Sequence, residues 1–166
     1  MGLSQSADVQ DPNILLNQLA DADPVEAMRL DRQLQALWQK TGSPAMDLLV
    51  KRGRDALEVE DYAEAVEHLT ALTDHAPDFA EGWHMRASAY FEMELYGPAV
   101  LDLERALALN PYNYNAIFGL GSLLELFGDD EGAFAAYERA LAIHPHHENV
   151  TNAIERLKPA VVGKAL

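Results

Sequence analysis

Three histidines, His144, His146 and His147, followed by Glu148, form the densest group of metal-ligating side chains in the sequence. Imidazole and carboxylate donors suit a transition-metal ion. A closed site needs further donors, and none recurs at helical spacing nearby. The reading preferred here is a polar turn and helix cap, of the kind also expected at His75-Ala76-Pro77. His68 and His84 stand alone. Gly119 and Gly121 make a Gly-x-Gly fragment, but it lies inside a helical pattern with no strand ahead of it, so it reads as helix packing and not a phosphate loop. The acidic runs Glu58-Val59-Glu60-Asp61 and Asp129-Asp130-Glu131 mark turns. They favour the positive ends of the helices that follow and lack the ligand spacing of a calcium loop. No Ser-His-Asp or paired-carboxylate arrangement follows from the spacing. The expectation is a chain that is not an enzyme and carries no cofactor or resident metal.

The 166 residues include 27 Asp/Glu against 12 Lys/Arg, a net charge of −15, and no cysteine. Residues 46–147 hold 19 of those acids and 6 of the bases, so they carry −13 of the total. A polyphosphate needs a basic face, so nucleic acid is not an expected partner. An anionic membrane surface is disfavoured on the same ground. Disulfides, thiol catalysis and Cys-based zinc sites are excluded. No apolar run reaches membrane-spanning length, so membrane insertion is not expected. Met1 to Gln10 is polar and lacks the pattern of an export signal. The compartment stays open: cytoplasmic by default, periplasmic if such a signal has been removed.

The elements that must position any site repeat every 34 residues. Pro77, Pro111 and Pro145 are one period apart, as are Ala65, Ala99 and Ala133, and Leu69, Leu103 and Tyr137. Gly53, Ala87 and Gly121 make a fourth column, and Leu49, Trp83 and Ile117 a fifth. A fixed period of this length means stacked helical units that bury their apolar faces against neighbours. The repeats fall at 46–79, 80–113 and 114–147. Ahead of them, residues 1–10 read as a loose tail and 11–45 as a helical hairpin. Asp11-Pro12 and Asp23-Pro24 each supply an N-cap and an N1 proline, and Gly42 with Pro44 ends the second helix. Asp31 falls where the repeat wants a small residue, so the hairpin is expected as a cap shielding the first repeat's edge. Asp78 and Glu81 are spaced as a capping box for the second repeat. A capping helix is expected over 148–158, ended by Pro159, with 159–166 as a second loose tail.

These columns resemble the tetratricopeptide repeat (TPR), whose pattern is Trp, Leu-Gly, Tyr, Ala, Phe, Ala and Pro at fixed offsets. The second repeat matches at Trp83, Ala87, Tyr90, Ala99, Leu103, Ala106 and Pro111. The third matches at Ile117, Leu120, Gly121, Leu124, Ala133, Tyr137, Ala140 and Pro145, and the first at Leu49, Gly53, Ala65, Leu69 and Pro77. Arg52 and Leu72 depart from the pattern, and Arg52 is expected to face the hairpin. The chain as a whole is similar to small bacterial proteins with a few such repeats.

The resemblance implies an all-α, right-handed α-α superhelix with three repeats between the hairpin and the capping helix. It also implies a concave groove for a peptide segment of a protein partner. By family position the groove would present Asp47, Val50, Arg54 and Leu57 from the first repeat. The second would give Glu81, His84, Ser88 and Phe91, the third Asn115, Phe118, Ser122 and Glu125, and the last helix Asn149, Asn152 and Arg156. Phe91 and Phe118 are the expected anchors. Family members that hold chaperone tails use a clamp of Lys, Asn, Asn, Lys and Arg. Val50, Arg54, Met85, Asn115 and Gly119 stand at those positions here, so a chaperone tail is not the expected ligand. The function read from this is a protein-interaction adaptor. The alternative is a homo-oligomeric scaffold paired through Leu30, Leu34 and Trp38, and the third reading is metal binding by the histidines.

Overall fold

The computed structural model describes residues 10–164; the expected loose tail over 1–10, Gln10 excepted, and residues 165–166 lie outside them. The described residues form nine helices and no strand. They are α1 (Pro12–Asp21), α2 (Pro24–Trp38), α3 (Pro44–Glu58), α4 (Tyr62–His75), α5 (Ala80–Glu92), α6 (Tyr96–Leu109), α7 (Tyr114–Leu126), α8 (Asp130–Ile143) and α9 (Glu148–Gly163). Side-chain caps set most of the starts. Asp11, Asp23, Asp61 and Asp129 accept from the amides of Asn13, Glu26, Glu64 and Gly132 at 2.9–3.1 Å. Asn113 accepts from two amides at the start of α7.

The expected capping box at Asp78 and Glu81 does not form. Phe79 is the N-cap of α5 and makes no side-chain bond to the helix. Glu81 is drawn inward, where its carboxylate accepts from Asn113 Nδ2 at 3.2 Å and pairs with His84 Nδ1 at 3.1 Å. A second correction concerns Pro159, which lies inside α9 and does not end it. Proline removes one amide bond from a helix interior; here the helix runs on to Gly163 with Val161 half-buried.

Helices α3–α4, α5–α6 and α7–α8 are the three antiparallel pairs, and α9 closes the stack. Small residues let each pair approach closely. A Cβ on Gly53 would meet Leu69 Cδ2 at 2.5 Å, and one on Gly121 would meet Tyr137 Cε1 at 2.5 Å. The apolar interior falls into two clusters. One joins α3, α4 and α5 through Val50, Leu69, Leu72 and Met85. The other joins α5 to α9 and, unexpectedly, the hairpin: Leu15, Leu19, Leu30 and Leu34 are fully buried alongside Tyr114, Ile117 and Val150.

The hairpin is therefore not a cap on the first repeat. It lies along the turns that separate the repeats, against the starts of α7 and α9. Tyr114 Oη donates to Asp31 Oδ1, Gln35 Nε2 donates to Tyr114 Oη at 3.3 Å, and Trp38 packs on the Tyr114 ring at 5.5 Å. His146 Nε2 donates to the Ala22 carbonyl at 2.9 Å. Asp31 explains the placement: a carboxylate cannot serve as the small residue of a stacking surface, but it suits a buried phenol. Arg52, expected to face the hairpin, is exposed instead. Leu30 and Leu34 are spent inside the chain and present no surface for pairing two copies.

Between the two clusters lies a polar seam. Arg86 on α5 makes two bonds to Asp102 on α6, Nε–Oδ2 at 2.7 Å and Nη2–Oδ1 at 2.9 Å. Its Nη1 reaches Thr73 Oγ1 on α4 at 3.1 Å, and its guanidinium lies 5.1 Å from the Trp83 ring.

Candidate groove on helices 5, 7 and 9

Helical spacing aligns one face of each of these helices. His84, Ser88 and Phe91 recur along α5, Asn115, Phe118, Ser122 and Glu125 along α7, and Asn149, Asn152 and Arg156 along α9. The structure brings these residues together. A hollow of about 270 Å³ is lined by His84, Ser88, Phe91, Asn115, Phe118 and Ser122, with Ala87, Leu103 and Gly119 among its apolar lining. A second, of about 530 Å³, shares Phe91, Phe118 and Ser122 and continues to Glu125, Asn149, Asn152 and Arg156.

The polar groups of this groove are partly committed. Ser88 and Ser122 donate to the carbonyls of His84 and Phe118, one turn back in their own helices. Asn115 Oδ1 accepts from His147 Nε2 at 2.8 Å, leaving its amide NH₂ to project. Glu125 accepts from Tyr137 Oη at 3.0 Å and from Arg156, whose guanidinium holds the carboxyl below the usual carboxylate range. Burial opposes a charge on His84, but the Glu81 carboxylate overcomes it and holds the imidazole above its ordinary value. Phe118 lies half-buried between Tyr137 and His147, at 5.6 and 5.9 Å. Phe91 is exposed.

The first repeat does not contribute as expected. Val50 is buried in the α3–α5 cluster, and Leu57 packs against the same cluster. Asp47 accepts from the Thr41 amide and hydroxyl at 3.0 and 2.6 Å, so it closes the α2–α3 loop. Arg54 donates to Gln39 in the segment after α2. Glu81 is buried behind His84 and faces no hollow of the groove. The chain after α2 passes close to α3, and that passage occupies the polar groups a groove would need.

Sequence reasoning missed Glu92, Leu126 and Tyr137 as lining residues. Tyr137 carried a signal: it puts a phenol in a column otherwise filled by Leu69 and Leu103, and that hydroxyl reaches Glu125. The three C-terminal histidines hold no common ligand. His146 and His147 bind Ala22 and Asn115, and His144 is buried with Nδ1 unpartnered. No group of three or more potential metal ligands converges among the described residues. Nor is any described helix long and apolar enough to cross a membrane.

A family model described as the tetratricopeptide repeat matches residues 50–96 and 84–148. A TPR repeat-containing protein of Rhizobium etli is 27% identical over 143 residues, covering 86% of this chain and 70% of that protein. Small glutamine-rich tetratricopeptide repeat-containing protein 2 of Saccharomyces cerevisiae is 30% identical over 117 residues, 70% of this chain and 33% of that protein. The chain thus spans about a third of the yeast relative. Among solved structures, the first TPR of Spaghetti (RPAP3) bound to the HSP90 peptide SRMEEVD superposes with a TM-score of 0.67 at 27% identity, covering 70% of this chain and 93% of that one.

Proposed function

The chain belongs to the tetratricopeptide repeat family, and from that premise we propose that it is a protein-interaction adaptor, not an enzyme, that holds a peptide segment of a partner against α5, α7 and α9. The observation that carries this reading is the pair of hollows joined through Phe91 and Phe118. An aromatic anchor beside apolar floor binds a side chain of the ligand. The amides of Asn115, Asn149 and Asn152 suit its backbone and polar groups, and the Arg156 guanidinium, already paired with Glu125, keeps more than half of its side chain exposed beside them. A nucleic acid is not the ligand, because the surface is acidic.

The Spaghetti TPR carries an acidic peptide, but an acidic chaperone tail does not suit this groove. Two of the positions where the family places its clamp are Val50 and Met85, both apolar and buried. Arg54 is engaged with Gln39.

The test is capture of partners from the native organism by the wild type and by Phe91→Ala/Phe118→Ala, read by mass spectrometry after circular dichroism confirms the fold. A partner lost with the double variant is the expected result. Equal capture by both proteins overturns the groove.

A further inference from the structure

The two edges of the solenoid are unlike. The edge made by the turns between repeats is covered by the hairpin. The opposite edge, about 20 Å away along helices of 13 residues, is made by the turns within repeats, and no helix of the described residues lies over it. Phe91, Met93, Leu95, Leu126 and Phe127 are exposed there by 37%, 39%, 42%, 52% and 59%. Phe91, Leu126 and Phe127 form one patch around Tyr96. The Phe91 ring stands 5.7 Å from Tyr96, Tyr96 stands edge-on to Phe127 at 6.3 Å, and Leu126 lines the same hollow as Phe91. An apolar patch of this kind, rimmed by polar residues, marks an interaction site.

The turns that carry the patch are acidic, and the one cation lining the adjoining hollow, Arg156, is paired with Glu125. Glu92 and Glu94 flank Met93, and Asp129, Asp130 and Glu131 follow Phe127 and Gly128. No lysine or arginine falls within residues 55–85, 87–104 or 106–138. None of those five acids is in an ion pair among the described residues. Burial, and after it the charges of Glu60 and Glu92 from two neighbouring turns, push the Tyr62 phenol up. Like charges gathered along one edge raise the local potential and draw a cation to it.

We propose that this edge docks a basic amphipathic segment of a partner, apolar side chains seated on Phe91, Phe127 and Leu126 and lysines or arginines reaching Glu92, Glu94, Asp130 and Glu131. The inference rests on the adaptor reading, since the patch is continuous with the groove through Phe91. Complementary charge sets the orientation and speed of encounter, and the aromatic patch holds the bound state. A second copy of this chain is a poor occupant, because it brings the same acidic rim.

The experiment uses the full chain and a fluorescent amphipathic peptide of about 14 residues made only of leucine and lysine, with a counterpart in which every lysine is glutamate. Anisotropy is read at about 50 mM and 500 mM salt, where screening differs strongly. The lysine peptide is expected to bind about tenfold or more tighter than the glutamate peptide at low salt. Glu94→Gln/Asp130→Asn/Glu131→Gln, none of which lines either hollow of the groove, should weaken it about fivefold, whereas removing three charges elsewhere, in Glu67→Gln/Glu104→Gln/Glu138→Gln, should change it by less than about twofold. Phe127→Ala, likewise outside the groove, should weaken it about threefold or more at both salt levels. Equal weakening by the two three-charge variants would reduce the effect to net charge and overturn the edge. So would equal binding of the two peptides, or a concentration-dependent mass that disappears in Phe127→Ala. Loss of binding in Phe118→Ala alone, with the edge variants unaffected, would overturn the edge and leave the groove standing.

Discussion

Arg86 and Asp102 meet in a two-bond ion pair, at 2.7 and 2.9 Å, with their side chains only 13% and 6% exposed. The pair sits where the core of the first repeat gives way to that of the second and third. The Asp102 hydrogen bond is the main reason the guanidinium is held above its ordinary value. A buried pair of this kind adds little over an apolar pair of the same volume, but breaking it leaves one charge stranded. Asp102→Ala should therefore cost about 3–5 kcal/mol, and Arg86→Met/Asp102→Leu should recover most of that loss. Urea unfolding of the four proteins of the cycle measures it. If the double variant is as weak as Asp102→Ala, the pair is stabilising in its own right.

Gly121 and Tyr137 make the second prediction. Any Cβ at position 121 runs into the Tyr137 ring, at 2.5 Å from Cε1 and 2.8 Å from Cδ1. The second repeat solves the same contact with Ala87 and Leu103. Gly121→Ala should cost about 1–3 kcal/mol, the usual cost of overpacking. Adding Tyr137→Leu should return part of it, while Tyr137→Leu alone should destabilise by emptying space and freeing Glu125. Additive urea midpoints across the three variants would show that the two positions do not share a contact.

The third prediction concerns pH. Burial, then the neighbouring His147 and His146, hold His144 below the ordinary histidine value, while Asp31 acts the other way. His147 is lowered by burial, again against Asp31. The unfolded chain protonates these two sites more readily, so their contribution is present above the unfolded pKa and lost as pH falls through the folded one. His84 has the opposite sign. Its raised value contributes stability below the unfolded pKa and loses it as pH rises through the folded one. Stability between about pH 5.5 and 8 should thus pass through a maximum near the ordinary histidine pKa. His144→Leu should flatten the acid limb, and His84→Gln the alkaline limb, in urea midpoints taken across that range. A monotonic profile in the wild type contradicts the assignment.

The fold was legible because its determinants are periodic. Columns such as Ala65, Ala99 and Ala133 report helix packing that depends only on the repeat itself, and the alignment of one face each of α5, α7 and α9 follows from the same spacing. What stayed hidden depends on contacts between residues far apart in the chain. Asp31 looked like a defect in a stacking surface, and only its bond to Tyr114 shows that the hairpin docks elsewhere. Glu81 sat at capping-box distance from Asp78, but Asn113, in the next repeat, offers it a buried bond. Val50 and Arg54 held groove positions by register, and the passage of the chain after α2 consumed them. The apolar edge at Phe91 and Phe127 was divided between two turns, each of which reads alone as an ordinary acidic loop.

The hairpin changes the mechanics of the molecule. A stack of helix pairs behaves as a coil spring, and its pitch stretches easily where each unit touches only its neighbours. Here the hairpin is fastened at two points, α2 to the start of α7 by Tyr114 on Asp31 and the end of α1 to the turn before α9 by His146 on Ala22, so two coils are pinned along one side. The free end, at α3 and α4, keeps its compliance. The stiff end holds Phe118 and Asn152 at a set spacing, so a segment docked in the proposed groove would not have to wind the spring.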